Sequence, residues 1–138
     1  MSKTKGFRAQ HDDLLKVVTE ISTHLNVNEL SNDATEVRRL LSLLFGKLNV
    51  HLSMEDNALY PKLLEHSDER VKSMAKRYMD EMGGVGKAVN AYKDKWSTAS
   101  LIQKNPSGFI EQTKGIFDAL AKRITKENNE LYKPVDEL

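Results

Sequence analysis

The chain has 138 residues, enough for one domain with a sizeable core, and its 21 Lys and Arg nearly balance its 20 Asp and Glu, which argues against a nucleic-acid-binding or anionic-membrane protein. It has no cysteine, which excludes disulfides, thiolate catalysis and cysteine-ligated zinc or iron–sulfur sites. No apolar run is long enough to cross a bilayer and the first ten residues lack the apolar stretch of a secretory signal, so we expect one cytoplasmic domain over residues 1–138.

Apolar residues recur at three- to four-residue spacing in four segments, a pattern typical of amphipathic helices. The predicted helices cover residues 7–25, 33–60, 68–96 and 106–132. Because only short loops remain between them, the sequence predicts an all-α fold, an up-down-up-down antiparallel four-helix bundle.

The predicted boundaries follow from local signals. Asp33 and Glu36 resemble a capping box at the start of the second helix, and Ser67 is expected to cap the third. Asn105–Pro106 is a cap followed by a first-turn proline, which opens the fourth helix. Pro61 is expected to end the second helix.

Ionisable residues interrupt the apolar stripes of all four helices. His11 lies on the first stripe, and His51 and Glu55 are spaced i, i+4 on the second, so both point the same way. Glu81 continues the third stripe and Glu127 the fourth. Buried carboxylates are usually paired or bound to a metal, and imidazole with carboxylate suits iron, manganese or zinc. The candidate metal ligands are therefore His11, His51, Glu55, Glu81 and Glu127.

Two of these residues have a structural alternative. Glu81 could lie at the edge of its stripe and face water or lysine, with Met82 facing inward instead. Glu127 could be neutralised by Arg123, one helical turn earlier.

The second and fourth helices resemble each other in sequence. Residues 51–61 read HLSMEDNALYP and residues 123–134 read RITKENNELYKP. Glu55 aligns with Glu127 and Tyr60 with Tyr132, which suggests a repeat of two helical hairpins. His51, however, aligns with Arg123, which cannot ligate a metal because guanidinium is always protonated.

The segment HLSMEDNALYP, together with His11 on the preceding helix and the final Glu-x-x-x-Leu-Tyr, resembles the hemerythrin-like family of HHE cation-binding domains. The resemblance implies a four-helix bundle with a non-haem iron centre of one or two ions. It also implies a role in binding dioxygen or in sensing or handling oxygen, nitric oxide, iron or oxidative stress.

Carried over from this family, His11 resembles the ligand of the first helix, His51 the histidine of the second helix and Glu55 the bridging carboxylate. Glu127 resembles the carboxylate of the final helix. The third-helix histidine is absent, with Glu81 or Met82 near its place, and Arg123 stands where the fourth-helix histidine is expected.

Two functions therefore follow from the sequence. The first is a metal-binding protein, with non-haem iron the expected metal and a small diatomic molecule the expected ligand. The second is a metal-free bundle, in which Arg123 binds Glu55 and Glu127 and the protein acts through partners. The sequence identifies no enzymatic reaction, and it leaves open a protein partner or a homodimer.

Two smaller points complete the expectations. If all three carboxylates are buried, one divalent metal and Arg123 would balance their charge, which favours a single ion. Gly83, Gly84 and Gly86 fall inside the third helix, where each costs about 1 kcal/mol relative to alanine. We expect them to allow close helix packing, the alternative being a local bulge beside the site.

Overall fold

The computed structural model describes residues 4–137, which are mostly helical, with short loops between the helices and no β-strand in that range. The α-helices are α1 (Lys5–Ser22), α2 (Val27–Asn32), α3 (Thr35–Met54), α4 (Tyr60–Leu64), α5 (Glu69–Lys95), α6 (Ala99–Lys104), α7 (Pro106–Lys126) and α8 (Lys133–Asp136). Two π-helical segments also occur. The first, π1 (Glu55–Leu59), connects α3 to α4, and the second, π2 (Glu127–Tyr132), connects α7 to α8. None of the helices in this part of the chain is long and apolar enough to span a membrane.

The four predicted helices correspond to α1, α3, α5 and α7, but two short helices, α2 and α6, were not predicted. Each has a cap: the Asn26 side chain accepts from the Glu29 amide, and the Thr98 side chain accepts from the Leu101 amide. With 6 residues each, α2 and α6 are too short to display a helical period.

The cap predictions have mixed outcomes. Asn105 caps α7 as predicted, because its side chain accepts from the Gly108 amide. The cap of α5 is Asp68, which accepts from the Arg70 amide, so the prediction of Ser67 was wrong by one residue.

The predicted capping box at α3 is absent. The Asp33 side chain accepts from the Thr35 amide, whereas the Glu36 carboxylate binds Arg39. Glu36 is thus engaged by a side chain one turn later and does not return to the cap.

Pro61 does not end the second helix, contrary to the prediction. The chain widens into π1, where the Tyr60 amide donates to the Glu55 carbonyl, and then continues as α4 with Pro61 in its first turn. Pro134 follows π2 in the same position of α8. Proline lacks the amide that an α-helix would use at this point, and a π-helical turn before it accommodates that loss.

Side-chain contacts show that α5 and α7 run in opposite directions. Tyr92 of α5 and Trp96, the residue just after it, bind Thr113 and Gln112 of α7. Tyr78, earlier in α5, binds Glu130 beyond the end of α7. The two ends of the described chain also meet, because the Thr4 hydroxyl and amide both contact the Asp136 carboxylate.

Helix α5 is continuous through Gly83, Gly84 and Gly86, so the expected bulge is absent. The prediction of close packing was also wrong, because a Cβ atom on any of these glycines would meet no atom within 4 Å.

Two apolar clusters fill the interior. The larger contains Leu14, Leu48 and Ile124, and the smaller contains Leu59 and Leu131. Three buried residues lie between the two clusters along α3–π1 and α7–π2, and all three are ionisable: His51, Glu55 and Glu127. A polar layer therefore separates the two apolar clusters.

Candidate metal centre

Four ionisable side chains meet in the polar layer. His11 comes from α1, His51 from the last turn of α3, and Glu55 and Glu127 are the first residues of π1 and π2. Each is only 1% exposed, and one ligand atom from each lies within 4.8 Å of the others. The His-x-x-x-Glu spacing across the end of α3 thus brings the side chains of His51 and Glu55 to one point, where those of His11 and Glu127 also converge.

The shortest distances run through the Nε2 atoms of the two histidines. His11 Nε2 lies 3.0 Å from His51 Nε2, and His51 Nε2 lies 2.6 Å from Glu55 Oε1. His11 Nε2 is also 3.4 Å from Glu127 Oε1. Both imidazoles therefore direct the same ring atom at the two carboxylates.

The other ring nitrogen of each histidine binds an amide oxygen. His11 Nδ1 lies 2.9 Å from Asn128 Oδ1, and His51 Nδ1 lies 2.7 Å from Gln10 Oε1. Because an amide oxygen only accepts, Nδ1 of each histidine carries the hydrogen and donates it. In the neutral imidazoles, Nε2 then has a free lone pair, which is the form that ligates a metal.

The carboxylates are short of donors. Both oxygens of Glu55 and both of Glu127 are buried, and no amide, lysine or arginine of the described residues donates a hydrogen bond to them. Two imidazole lone pairs and four carboxylate oxygens thus face one another in an apolar surrounding, an arrangement that needs a cation or shared protons. The residues present therefore fit a metal ion.

The pKa values show how the metal-free site is balanced. Burial, and then the neighbouring Glu55, raise the pKa of Glu127 to about 9. Burial also acts to raise the pKa of Glu55, but contacts with His51 and Glu127 outweigh it and leave that pKa below its ordinary value. Burial lowers the pKa of His11 and keeps its ring neutral. Near neutral pH, Glu127 holds a proton beside an ionised Glu55.

Two buried tyrosines border the site. The Tyr132 hydroxyl lies 3.3 Å from His11 Nε2 and 3.4 Å from His51 Nε2, at the same point as the carboxylates. The Tyr60 hydroxyl is buried and, among the described residues, has no hydrogen-bond partner. Of the two hydroxyls, that of Tyr132 therefore reaches polar groups of the site.

Glu81, the remaining candidate ligand, lies apart from these four side chains. Its carboxylate is 39% exposed and binds Arg123 and Lys126, whereas Met82 beside it is buried. This is the alternative arrangement in which Glu81 lies at the stripe edge. Its role as a ligand stays a prediction.

Arg123 also differs from its expected position. Its guanidinium binds Glu81 and the Tyr78 carbonyl and lies over the Tyr78 ring, 4.5 Å from the centroid. The expected pairing with Glu127 or Glu55 is therefore absent, since no arginine of residues 4–137 donates a hydrogen bond to either carboxylate.

Gln10 and Asn128 were not among the candidates from the sequence. Each is adjacent in sequence to a candidate, His11 or Glu127, and adjacent helical residues point in different directions. Gln10 accepts a hydrogen bond from His51 on another helix, and Asn128 accepts one from His11. Both contacts arise only from the packing of the helices.

The comparisons with known proteins agree with this site. No curated protein and no solved structure matched the chain. The family model described as the hemerythrin HHE cation binding domain matches residues 2–135, nearly the whole chain. The protein belongs to the hemerythrin HHE cation-binding domain family.

Proposed function

We propose that the protein binds one metal ion through His11 Nε2, His51 Nε2 and the carboxylates of Glu55 and Glu127. The observation that carries the proposal is the convergence of two imidazoles and two carboxylates, all buried, whose ligand atoms lie within 4.8 Å of one another. A cation at this point would interact with every one of these groups. Metal binding would also displace the proton that Glu127 holds in the metal-free protein.

A single ion is favoured by charge. Glu55 and Glu127 supply two negative charges, which one divalent cation balances. A second ion would need further ligands, but Met82 and Arg123 stand where this family's histidines are expected, and Arg123 already holds Glu81. Glu81, the fifth candidate ligand from the sequence, would then influence the metal site only through its ion pair with Arg123.

Iron is the metal we propose, because two histidines with two carboxylates suit iron, manganese or zinc and the family resemblance favours iron. When bound, non-haem iron supplies the capacity to bind or reduce a small diatomic molecule. Gln10 and Asn128 orient the two imidazoles, and the apolar clusters on either side keep bulk water away. The function would be sensing or handling dioxygen, nitric oxide, iron or oxidative stress, in the cytoplasm.

We also propose that α1, α3, α5 and α7 form an up-down-up-down four-helix bundle, as one domain over residues 1–138. The antiparallel contacts of α5 with α7, and the contact between the two ends of the described chain, support this arrangement. In such a bundle the ligands project inward from facing helices.

The test is metal analysis of protein purified without chelator or metal-affinity resin. We expect close to one iron per chain and a ligand-to-metal absorption band, whereas two per chain would show a dinuclear centre. Less than about 0.1 metal per chain, with no uptake on adding ferrous iron anaerobically, would refute a metal-binding function.

The second candidate function is a metal-free interaction module. The observation that favours it is the Arg123–Glu81 pair, which uses the arginine that stands in place of a histidine. Its specific form, with Arg123 binding Glu55 and Glu127, does not match the contacts of those carboxylates.

A further inference from the structure

Met54 is an exposed methionine one residue before Glu55 of the candidate metal centre. It is the last residue of α3 and is 42% exposed. The other methionines of residues 4–137 are half-buried or buried: Met74, Met79 and Met82. Because an oxidant must contact the sulfur of a methionine, we expect an oxidant in solution to reach Met54 first.

The Met54 sulfur contacts a side chain that holds a candidate ligand. Gln10 Nε2 lies 2.8 Å from Met54 Sδ and donates to it. Gln10 Oε1, on the same amide, accepts a hydrogen bond from His51 Nδ1 at 2.7 Å. His51 Nε2 in turn lies 2.6 Å from Glu55 Oε1. The Gln10 amide therefore connects an exposed sulfur with a buried imidazole of the site.

Oxidation changes both the chemistry and the space at this contact. Hydrogen peroxide transfers one oxygen atom to a thioether: an S–O bond forms, the O–O bond breaks and water leaves, so the sulfur is oxidised and the peroxide is reduced. The hydrogen-bond acceptor of the resulting sulfoxide is its oxygen. A separation of 2.8 Å leaves no room for that oxygen between Met54 Sδ and Gln10 Nε2, so the two side chains must move apart.

This movement affects His51 because Gln10 has few other contacts. Among the described residues, the Gln10 side chain forms hydrogen bonds only with Met54 and His51. When Met54 no longer accepts from Nε2, the Gln10 amide is held only by the bond that it is needed to orient. A ligating histidine whose outer partner is displaced binds a metal ion more weakly.

We propose that Met54 is a site of oxidation by peroxides, and that its sulfoxide weakens metal binding by removing the contact that holds Gln10 against His51. The proposal rests on the proposed function and deepens it, because it gives the metal site a means of responding to an oxidant. The oxidation of Met54 and its effect on His51 do not require a bound metal. Reduced Met54 is a positioning residue, which acts on His51 through Gln10.

The first test uses metal-free protein that has been treated with hydrogen peroxide and then separated from it. Peptide mass spectrometry should detect an added oxygen atom on Met54 before Met74, Met79 or Met82. In NMR of the ¹⁵N-labelled protein, the His51 Nδ1 hydrogen should exchange with water about threefold faster once Met54 is oxidised. Methionine sulfoxide reductases, one for each sulfoxide epimer, should restore the original rate. Slower oxidation of Met54 than of the other three, or an unchanged exchange rate, would overturn the proposal.

The second test measures cobalt affinity before and after oxidation, by competition with a chromophoric chelator. We expect oxidation to lower the affinity about threefold or more in the unmodified protein and in Met74→Leu, the matched control that keeps Met54. Met54→Leu should keep its affinity on treatment with peroxide, because leucine takes up no oxygen. Gln10→Ala should start from a lower affinity, which oxidation does not lower further, because the connection to His51 is missing.

An equal loss of affinity in Met54→Leu and the unmodified protein would overturn the proposal, because oxidation would then act at another residue. An equal loss in Gln10→Ala would overturn the role of Gln10. If no variant binds cobalt even before oxidation, the proposed function fails, whereas the exchange of the His51 Nδ1 hydrogen still decides whether Met54 acts on His51.

Discussion

His11 and His51 each bind an amide oxygen through Nδ1 and direct Nε2 at the same point. The amides of Gln10 and Asn128 therefore determine both the orientation and the protonation of the candidate ligands. Such partners of a ligating histidine typically contribute 10- to 100-fold in metal affinity. We therefore expect both amides to contribute to the affinity of the four central side chains for a metal ion.

Replacing Asn128 should weaken metal binding without removing a ligand. In Asn128→Ala, His11 loses the acceptor of its Nδ1 hydrogen, so its ring can turn and carry the hydrogen on Nε2. We expect the affinity for ferrous iron or cobalt to fall about tenfold or more, as measured by competition with a chromophoric chelator. Asn129→Ala, at the exposed neighbouring residue, is the control and should bind as the unmodified protein does. Equal affinities in both variants would rule out the role assigned to Asn128.

Replacing Glu127 should change stability and metal binding in opposite directions. The pKa of Glu127 is raised to about 9 in the folded metal-free protein, from an ordinary value of 4.5, so the folded state holds a proton that the unfolded state releases. The free energy of unfolding should therefore fall as pH rises from about 4.5 toward 9.

Glu127→Gln removes this loss of stability. At pH 7 to 8 we expect the metal-free variant to be more stable than the unmodified protein by about 1–3 kcal/mol, and the difference to vanish near pH 4.5. The variant should also lose tight metal binding. Urea unfolding across this pH range, with a metal titration, measures both effects. If the stability of the variant falls between pH 4.5 and pH 8 by as much as that of the unmodified protein, the assignment of the raised pKa to Glu127 is contradicted.

At the scale of the helices, both carboxylates of the candidate site belong to the first residues of π-helical segments. Glu55 opens π1 and Glu127 opens π2, and each segment is followed by a proline in the first turn of the next helix. A π-helical turn alters the direction in which the following residues project. In both halves of the repeat, the tyrosine at the end of this turn, Tyr60 or Tyr132, is buried beside the site.

The ion pair between α5 and α7 predicts a pH dependence in acid. The hydrogen bond from Arg123 lowers the pKa of Glu81, so the pair stabilises the fold above the ordinary carboxyl pKa and the effect is lost as pH falls through the lowered value. Because Glu81 is 39% exposed, we expect Glu81→Gln to cost less than about 1 kcal/mol at pH 7 and a smaller amount near pH 3.

Urea unfolding at both pH values measures this difference. Asp80→Asn, which neutralises the exposed residue just before Glu81, is the matched control and should have a smaller effect at pH 7. A Glu81→Gln variant as stable as the control at pH 7 would show that the pair contributes nothing.

At the scale of the whole molecule, metal binding should stabilise the entire fold, because its ligands come from α1, α3, π1 and π2. At a free metal concentration 100 times the dissociation constant, the gain is about 2.7 kcal/mol, or roughly 10 °C in melting temperature for a chain of this length. Differential scanning calorimetry with and without ferrous iron under anaerobic conditions measures this shift. A chelator should reverse it, and Glu127→Gln should not show it.

The family and the helical content could be predicted from the sequence because both are written in local patterns. Helical period identified α1, α3, α5 and α7, and the His-x-x-x-Glu spacing put His51 and Glu55 on one face. The short helices, the π-helical segments and the partners Gln10 and Asn128 could not be predicted, because they depend on proline accommodation and on contacts between helices.

The placement of Glu81 illustrates the same limit. Its position on the apolar stripe suggested a side chain that faces inward, yet Glu81 binds Arg123 of α7 near the surface and Met82 is buried instead. Helical period defines a face only to within one residue, so adjacent residues at a stripe edge can exchange roles.

The order of the four central residues along the chain has a consequence for biosynthesis. His11, His51 and Glu55 leave the ribosome well before Glu127, which joins them only when α7 has been made and has packed. A nascent chain therefore carries three potential ligands without the fourth, and iron captured early would be held loosely. Tight retention of iron would then mark a polypeptide whose last helices have docked.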